Sequence, residues 1–331
     1  GTGCEGSSET FTITVNPTPA VTSASTKTIC DNTDVDYDIT SNVTGTTFTW
    51  TASVTLAPTG GTITGFSDCS GSCGSTITQT LDNTGTSPGE VTYVITPTGP
   101  SPTECEGDPF NLVVTVQPYP DVIATPSSET ICNGSSTNID LSTNITDETV
   151  TYTWTAVNFG GKVKGFSGGT VTGFSDCSSS CGTNIGQTLI NNDTEPGVVT
   201  YTITPFIGPC QGDDITVDVT VNPSGQVNDP DNQVLCNGAN TDVVTFTTTH
   251  TVGTTTYDWT NDETSIGLAA SGIGDIGSFT AVNTGTSPVT ATIEVTPTFT
   301  FDGIPCVGPS ETFTITVNPT GQVDEPDDLE V

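Results

Sequence analysis

Short stretches of alternating apolar and polar residues recur along the chain: "FTITV" at Phe11–Val15, "FTW" at Phe48–Trp50, "VTYVI" at Val91–Ile95 and "VDVTV" at Val217–Val221. Clusters of Thr, Gly, Pro and Asn separate them. A period of two with Val, Ile, Phe and Tyr on one face describes half-buried antiparallel strands. In the first well-delimited stretch the pattern predicts strands at Val35–Thr40, Thr46–Ala52, Gly61–Phe66, Ser75–Asp82, Glu90–Pro97 and Phe110–Val116. Phe48 and Trp50 then share one face with Thr47, Thr49 and Thr51 on the other, and Val91, Tyr93 and Ile95 point one way. Trp50 is expected in the core, and the Thr-rich faces suit an exposed pleat. No apolar run approaches the roughly 20 residues that cross a bilayer as a helix.

The same pattern returns at a fixed period. "ETFTITVNPT" at Glu9–Thr18 reappears unchanged at Glu311–Thr320, with "NLVVTVQPYP" from Asn111 and "ITVDVTVNPS" from Ile215 in the same slot between them. Their prolines, Pro17, Pro118, Pro223 and Pro319, are spaced by 101, 105 and 96 residues. Trp50, Trp154 and Trp259 keep step, as do "TIC" at Cys30, "TIC" at Cys132 and "VLC" at Cys236. Three repeats of about 100 residues are predicted, each the size of an Ig-like sandwich. The expected boundaries are 19–119, 120–224 and 225–320; residues 1–18 read as the last strand of an upstream repeat and 321–331 as the start of a following one. The chain is expected to be an excerpt of a longer tandem array, and the absence of methionine suggests a processed or excised product. The partners implied are neighbouring repeats of the same long chain.

Charge narrows the function classes. The 331 residues carry 38 acidic side chains against three lysines (Lys27, Lys162, Lys164), no arginine and one histidine, a net charge of −35. Nothing here neutralises phosphates, so nucleic acid is excluded as a natural partner. Docking on an anionic membrane surface is disfavoured, and no membrane insertion is expected. Such a charge keeps a protein soluble and repels copies of it.

The eleven cysteines fall into two classes. One recurs in every repeat, and the reading is a bridge within each: Cys30–Cys105, Cys132–Cys210 and Cys236–Cys306, with Cys4 belonging to an upstream pair. Pairing across repeats, Cys105 with Cys132 and Cys210 with Cys236, is disfavoured because those segments are expected to sit a domain length apart, beyond disulfide reach. The second class is a Cys-x3-Cys pair, Cys69/Cys73 in "GFSDCSGSCGS" and Cys177/Cys181 in "GFSDCSSSCGT". Tetrahedral zinc needs four ligands, which this pair and a single histidine cannot supply. An acidic setting also raises a thiol pKa and opposes redox use. A local disulfide clip is therefore expected, and "GLAASGIGDIGSF" at Gly267–Phe279 does without it. Disulfides imply an oxidising, extracellular compartment.

Catalytic constellations are not legible. His250 lies in a Thr-rich stretch without counterparts in the other repeats, and reads as an exposed loop residue. The glycines sit in strand turns and not before helices, and the acidic residues drift from repeat to repeat. No enzyme is predicted. Calcium is the one ligand carried forward, with Asp229, Asp231, Asp324 and Asp327 as candidates near repeat junctions, where oxygen ligands would stiffen an array.

Taken together, "TIC(D/N)(N/G)", "(F/Y)TWT", "GFSDC…C" before "QTL", "VTY.ITP" and "TITVNPT" resemble the PKD-like/Ig-like repeats of giant surface adhesins of gliding bacteria, of the SprB type, exported by the type IX secretion system. The PKD turn "W-x-F-G-D-G" follows none of the three tryptophans, which makes the repeats PKD-like, and a C-terminal sorting domain is missing, as expected of an internal excerpt. The resemblance implies an all-β tandem array of antiparallel sandwiches, stapled by disulfides, in a cell-surface filament. It further implies that motility and secretion machinery carries the filament to grip a polysaccharide or solid surface. The alternative is a calcium-assisted carbohydrate-binding sandwich array, with Tyr119, Phe159, Phe206 or Phe299 stacking on sugars.

Overall fold

Each repeat builds its main sheet from four strands in one spatial order. A lead strand (Thr26–Ile29, Ser128–Cys132, Gln233–Cys236) borders a closing strand (Phe110–Val116, Ile215–Asn222, Glu311–Asn318). The closing strand borders a long strand (Gly89–Thr98, Gly197–Ile207, Val289–Phe301), and the long strand borders a tryptophan strand (Thr47–Leu56, Thr151–Phe159, Thr254–Asn261). The computed structural model of the chain describes residues 1–71, 73–165 and 183–323. Among these the regular secondary structure is strand, apart from one 3-10 turn at Thr264–Ile266.

Alternation places the core. Along Gly89–Thr98 every second residue is buried, so Val91, Tyr93 and Ile95 point inward, as do Phe48 and Trp50 on the tryptophan strand. Burying each such side chain contributes about 1.5–3 kcal/mol. A second layer of short strands closes the sandwich over them: in the first repeat Thr33–Asp34, Ile63–Thr64 and Thr80–Asn83 form one sheet, and Tyr37–Asp38 pairs with Thr76–Ile77. The layer is more broken than alternation predicts. Asp36 takes a positive φ of 40° between two of its strands. Gln79 interrupts another, accepting from the Ser67 N–H (2.8 Å) and from the Tyr93 hydroxyl (3.0 Å). Tyr93 is buried, which pushes its hydroxyl pKa up.

The lead strand, which alternation does not predict, fixes the polarity of the repeat. It runs parallel to the closing strand: Ile29 lies opposite Val116, Cys132 opposite Asn222 and Cys236 opposite Asn318. Both therefore end at the pole where the chain leaves the repeat, the exit pole. The hairpin from the long to the closing strand lies at the opposite, entry pole, a seven-residue strand or roughly 20 Å away.

The chain packs as two compact units, each drawn from more than one repeat. One comprises Gly1–Ile123, Thr143–Tyr152 and Thr204–Asp214, so the first repeat packs with a loop and a hairpin tip of the second. The other comprises Ala124–Ser142, Thr153–Ile203 and Ile215–Val331, joining the body of the second repeat to the third.

Candidate functional site at the repeat junctions

Polarity decides the disulfides. Cys30 follows the lead strand at the exit pole of the first repeat, whereas Cys105 lies in the entry-pole hairpin of the same repeat. Cys30 instead bridges Cys210, the hairpin cysteine of the second repeat, with Cα atoms 5.5 Å apart. Cys132 likewise bridges Cys306 of the third repeat at 5.4 Å. The expected Cys30–Cys105, Cys132–Cys210 and Cys236–Cys306 bridges are thus corrected: partners in one repeat sit a strand length apart, far beyond the Cα separation a disulfide spans. Pairing of Cys105 with Cys132, or of Cys210 with Cys236, does not form either. Cys4, Cys105 and Cys236 are free thiols.

Within the first unit, the junction is a set of specific contacts around Cys30–Cys210. Gly212, two residues after the bridge cysteine, donates its N–H to the Pro205 carbonyl (3.0 Å), and a Cβ on it would lie 1.9 Å from the Pro120 carbonyl oxygen. Only glycine lets the linker backbone come this close. The Tyr119 hydroxyl donates to Asp213 Oδ1 (2.8 Å), a bond to a carboxylate that raises the phenol pKa. Asp121 caps the following loop, accepting from Asn144 Nδ2 (2.7 Å) and from the Thr143 hydroxyl. Thr146 N–H donates to the Thr86 carbonyl (2.7 Å).

Within the second unit the arrangement recurs around Cys132–Cys306. Gly308 donates to the Pro297 carbonyl (2.9 Å), and a Cβ on it would lie 1.8 Å from the Gly225 carbonyl oxygen. Buried Asn222 at the end of the closing strand donates to the Phe301 carbonyl (3.0 Å), and the Thr130 hydroxyl donates to Asp302 (3.0 Å). Lys162 pairs with Glu195, which also accepts from the Thr251 hydroxyl (2.5 Å); these partners, the lysine first, hold the Glu195 carboxyl below its usual range. Two successive junctions thus share a disulfide and a glycine, two residues after its hairpin cysteine, pressed against a linker carbonyl.

A Cys-x-Gly signal marks the hairpin side of each junction: Cys105-Glu106-Gly107, Cys210-Gln211-Gly212 and Cys306-Val307-Gly308, with Cys4-Glu5-Gly6 as a fourth copy. Spacing alone did not expose its role, because the glycine's partner is a linker carbonyl from the preceding segment.

The remaining candidates separate. Cys69 and Cys73 form the expected clip, 5.8 Å between Cα atoms, and Cys69 exchanges both backbone hydrogen bonds with Trp50. In the third repeat Ser271–Ile273 takes this place beside Trp259, with Gly272 against the indole. Cys177 and Cys181 lie outside the described residues, as do Asp324 and Asp327. Among the described residues no three His, Cys, Asp or Glu side chains gather to hold a metal. Asp229 and Asp231 are both exposed, and their loop is secured by the neutral amides of Asn228 and Asn232.

Two further readings change. His250 is half-buried, not a free loop residue: its ring lies 4.4 Å from that of Phe299, Nδ1 bonds the Thr248 hydroxyl (3.0 Å), and burial lowers its pKa. Phe299 is fully buried and cannot stack on a sugar, whereas Tyr119 and Phe159 are exposed.

Among the described residues no helix is long and apolar enough to cross a membrane. The fold and its junctions define a tandem, disulfide-stapled β-sandwich protein. The PKD-like domain family matches residues 27–120 and 129–225, more than half of the chain, and the chain belongs to that family. No curated protein sequence matches it. Among solved structures it is similar to the human desmocollin-1 ectodomain (10% identity, TM-score 0.30), covering 91% of this chain and 61% of that one. Drosophila N-cadherin EC1-4 (11%, TM-score 0.30) is covered to 75% by 91% of this chain, and mouse cadherin-23 EC22-24 (10%, TM-score 0.30) to 100% by 92%. This chain thus spans less than two thirds of the desmocollin ectodomain, and likeness at these values carries no inference about function.

Proposed function

We propose that the chain is a non-catalytic structural and adhesive segment of an extracellular cell-surface filament, in which successive PKD-like repeats are linked by disulfides from the exit pole of one to the entry pole of the next. The observation that carries this reading is the repetition of one junction: Cys30–Cys210 and Cys132–Cys306 join equivalent positions with equivalent glycine contacts. A site for chemistry on small molecules has no reason to recur between modules, whereas a connector does. Disulfides favour an oxidising compartment, and three lysines among 331 residues leave trypsin-like proteases few cuts.

On this reading the repeats are 19–119, 120–224 and 225–320. Residues 1–18 close an upstream sandwich: Phe11, Ile13 and Val15 are 84%, 75% and 86% exposed, while Phe313, Ile315 and Val317 in the same sequence are 2%, 0% and 0% exposed. The resemblance to gliding-motility adhesins gives the finer role, a filament delivered by type IX secretion and moved by surface machinery over a polysaccharide or solid substratum. Two experiments test the reading. Negative-stain averaging of filaments sheared from cells is expected to show beaded threads; compact particles would overturn it. Antibody to the chain on intact gliding cells is expected to give moving surface foci, and absence of surface label would refute the finer role.

A further inference from the structure

We infer that Cys105 and Cys236 are open halves of the same inter-repeat bridge. Cys236 receives the hairpin cysteine of a further PKD-like repeat beyond the third, and Cys105 the lead-strand cysteine of a repeat before the first. The inference rests on the tandem-repeat reading above and adds a pairing rule to it: the cysteine after each lead strand joins the Cys-x-Gly cysteine of the next repeat.

Each thiol sits as its bridged counterparts do. Cys236 lies opposite Asn318 in the parallel register, as Cys132 lies opposite Asn222. Cys132 is bridged and partly covered, while Cys236 is an exposed free thiol. On the entry side, Gly107 stands two residues after Cys105 and donates to the Pro97 carbonyl (2.9 Å), as Gly212 and Gly308 do to Pro205 and Pro297. A Cβ on Gly107 would lie 1.9 Å from the Pro19 carbonyl oxygen, the same closeness to the incoming linker. The incoming segment is already seated, since Asn16 Nδ2 donates to the Thr103 hydroxyl (2.7 Å) of the hairpin that carries Cys105. Asn222 meets the equivalent hairpin of the third repeat. Cys210 and Cys306, with partners, are buried, whereas Cys105, without one, is half-exposed. Everything that positions a bridge is in place on both thiols except the second sulfur.

The chemistry balances as an ordinary oxidation. Each thiol loses its proton, one S–S bond forms, and the two electrons pass to a small-molecule or protein disulfide, which is reduced to two thiols.

The test supplies the missing halves. Residues 321–331 match 225–235 in sequence, so appending a duplicate of residues 236–320 after Val331 creates a continuous fourth repeat. Residues 1–18 match 303–320, so placing a duplicate of 225–302 before Gly1 completes an upstream one. After folding with oxidised and reduced glutathione, non-reducing peptide mapping is expected to give Cys236 joined to the duplicate of Cys306, and Cys105 joined to the duplicate of Cys236. Alkylation of Cys105 and Cys236, complete in the 331-residue chain, is expected to be lost. Extended chains whose added repeat resists proteolysis while Cys236 or Cys105 stays alkylated overturn the pairing rule and leave the tandem reading standing. Should an added repeat fail to fold, Cys132→Ser in the 331-residue chain still decides. The rule requires the released Cys306 and Cys236 to alkylate separately, and a Cys236–Cys306 peptide would overturn it.

Discussion

Cys30 and Cys210 stand 180 residues apart in sequence with their Cα atoms 5.5 Å apart, because the end of one repeat's lead strand faces the next repeat's hairpin. With Cys132–Cys306 this makes two overlapping covalent rings. Pulled from its ends, the oxidised chain is limited by the shortest covalent path, about 135 residues or roughly 450 Å, against roughly 1,100 Å for all 331 residues. Single-molecule stretching is expected to show that limit and to lose it when a reductant is added. An unchanged maximum extension would refute the bridging.

The junction glycines have no room for a side chain. Gly308→Ala would set a methyl 1.8 Å from the Gly225 carbonyl oxygen, so the second and third repeats could not approach and Cys132–Cys306 would close poorly. Alkylation of Cys132 and Cys306 during oxidative folding should rise sharply, while Cys30 and Cys210 stay protected.

A buried asparagine recurs in each repeat. Asn83 Nδ2 donates to the Ser87 (3.0 Å) and Val116 (2.9 Å) carbonyls, and Asn191 and Asn283 hold Val221 and Val317 in the same way. Asn83→Ala leaves buried carbonyls without donors and is expected to cost about 2–3 kcal/mol. Denaturation of the first repeat, read from Trp50 with Trp154 and Trp259 replaced by Phe, measures it.

His250 couples the third repeat to pH. Burial lowers its pKa below the ordinary value of about 6.5, so folding favours the neutral ring. That contribution is complete above the unfolded value and is lost as pH falls through the folded one. Melting temperature is expected to fall more steeply for the wild type than for His250→Gln on going from pH 7 to pH 5. Parallel profiles would show that the imidazole is not desolvated.

Calcium should be dispensable for the described junctions, since Asp229 and Asp231 are exposed and among the described residues no three carboxylates gather closely enough to hold a metal. Melting curves with and without a chelator are expected to superimpose. A chelator-sensitive melt that Asp229→Asn abolishes would contradict this.

The strands with strict alternation were legible in the sequence. Phe48, Trp50, Val91, Tyr93 and Ile95 announce their faces because each inward residue is apolar and, Val94 apart, each outward neighbour is polar. Thr26–Ile29 was not, because only Ile29 is buried and its pairing with Phe110–Val116 is parallel and distant in sequence. Without that strand, alternation does not show the pole at which Cys30 emerges, and pairing within the repeat looks possible where the structure forbids it. The Cys69–Cys73 clip needed no such knowledge, since a spacing of four leaves little freedom. The rings of His250 and Phe299 pack together from segments far apart in sequence, and the alternation of neither stretch shows that contact.

Overlap of the two rings also changes what a peptidase can achieve. Cys30–Cys210 spans any backbone cut between those residues, and Cys132–Cys306 spans any cut from there to Cys306. A single nick anywhere from Cys30 to Cys306 therefore leaves one connected molecule. Damage that would part an unbridged chain in two is reduced here to a local wound, and the molecule survives its first bite.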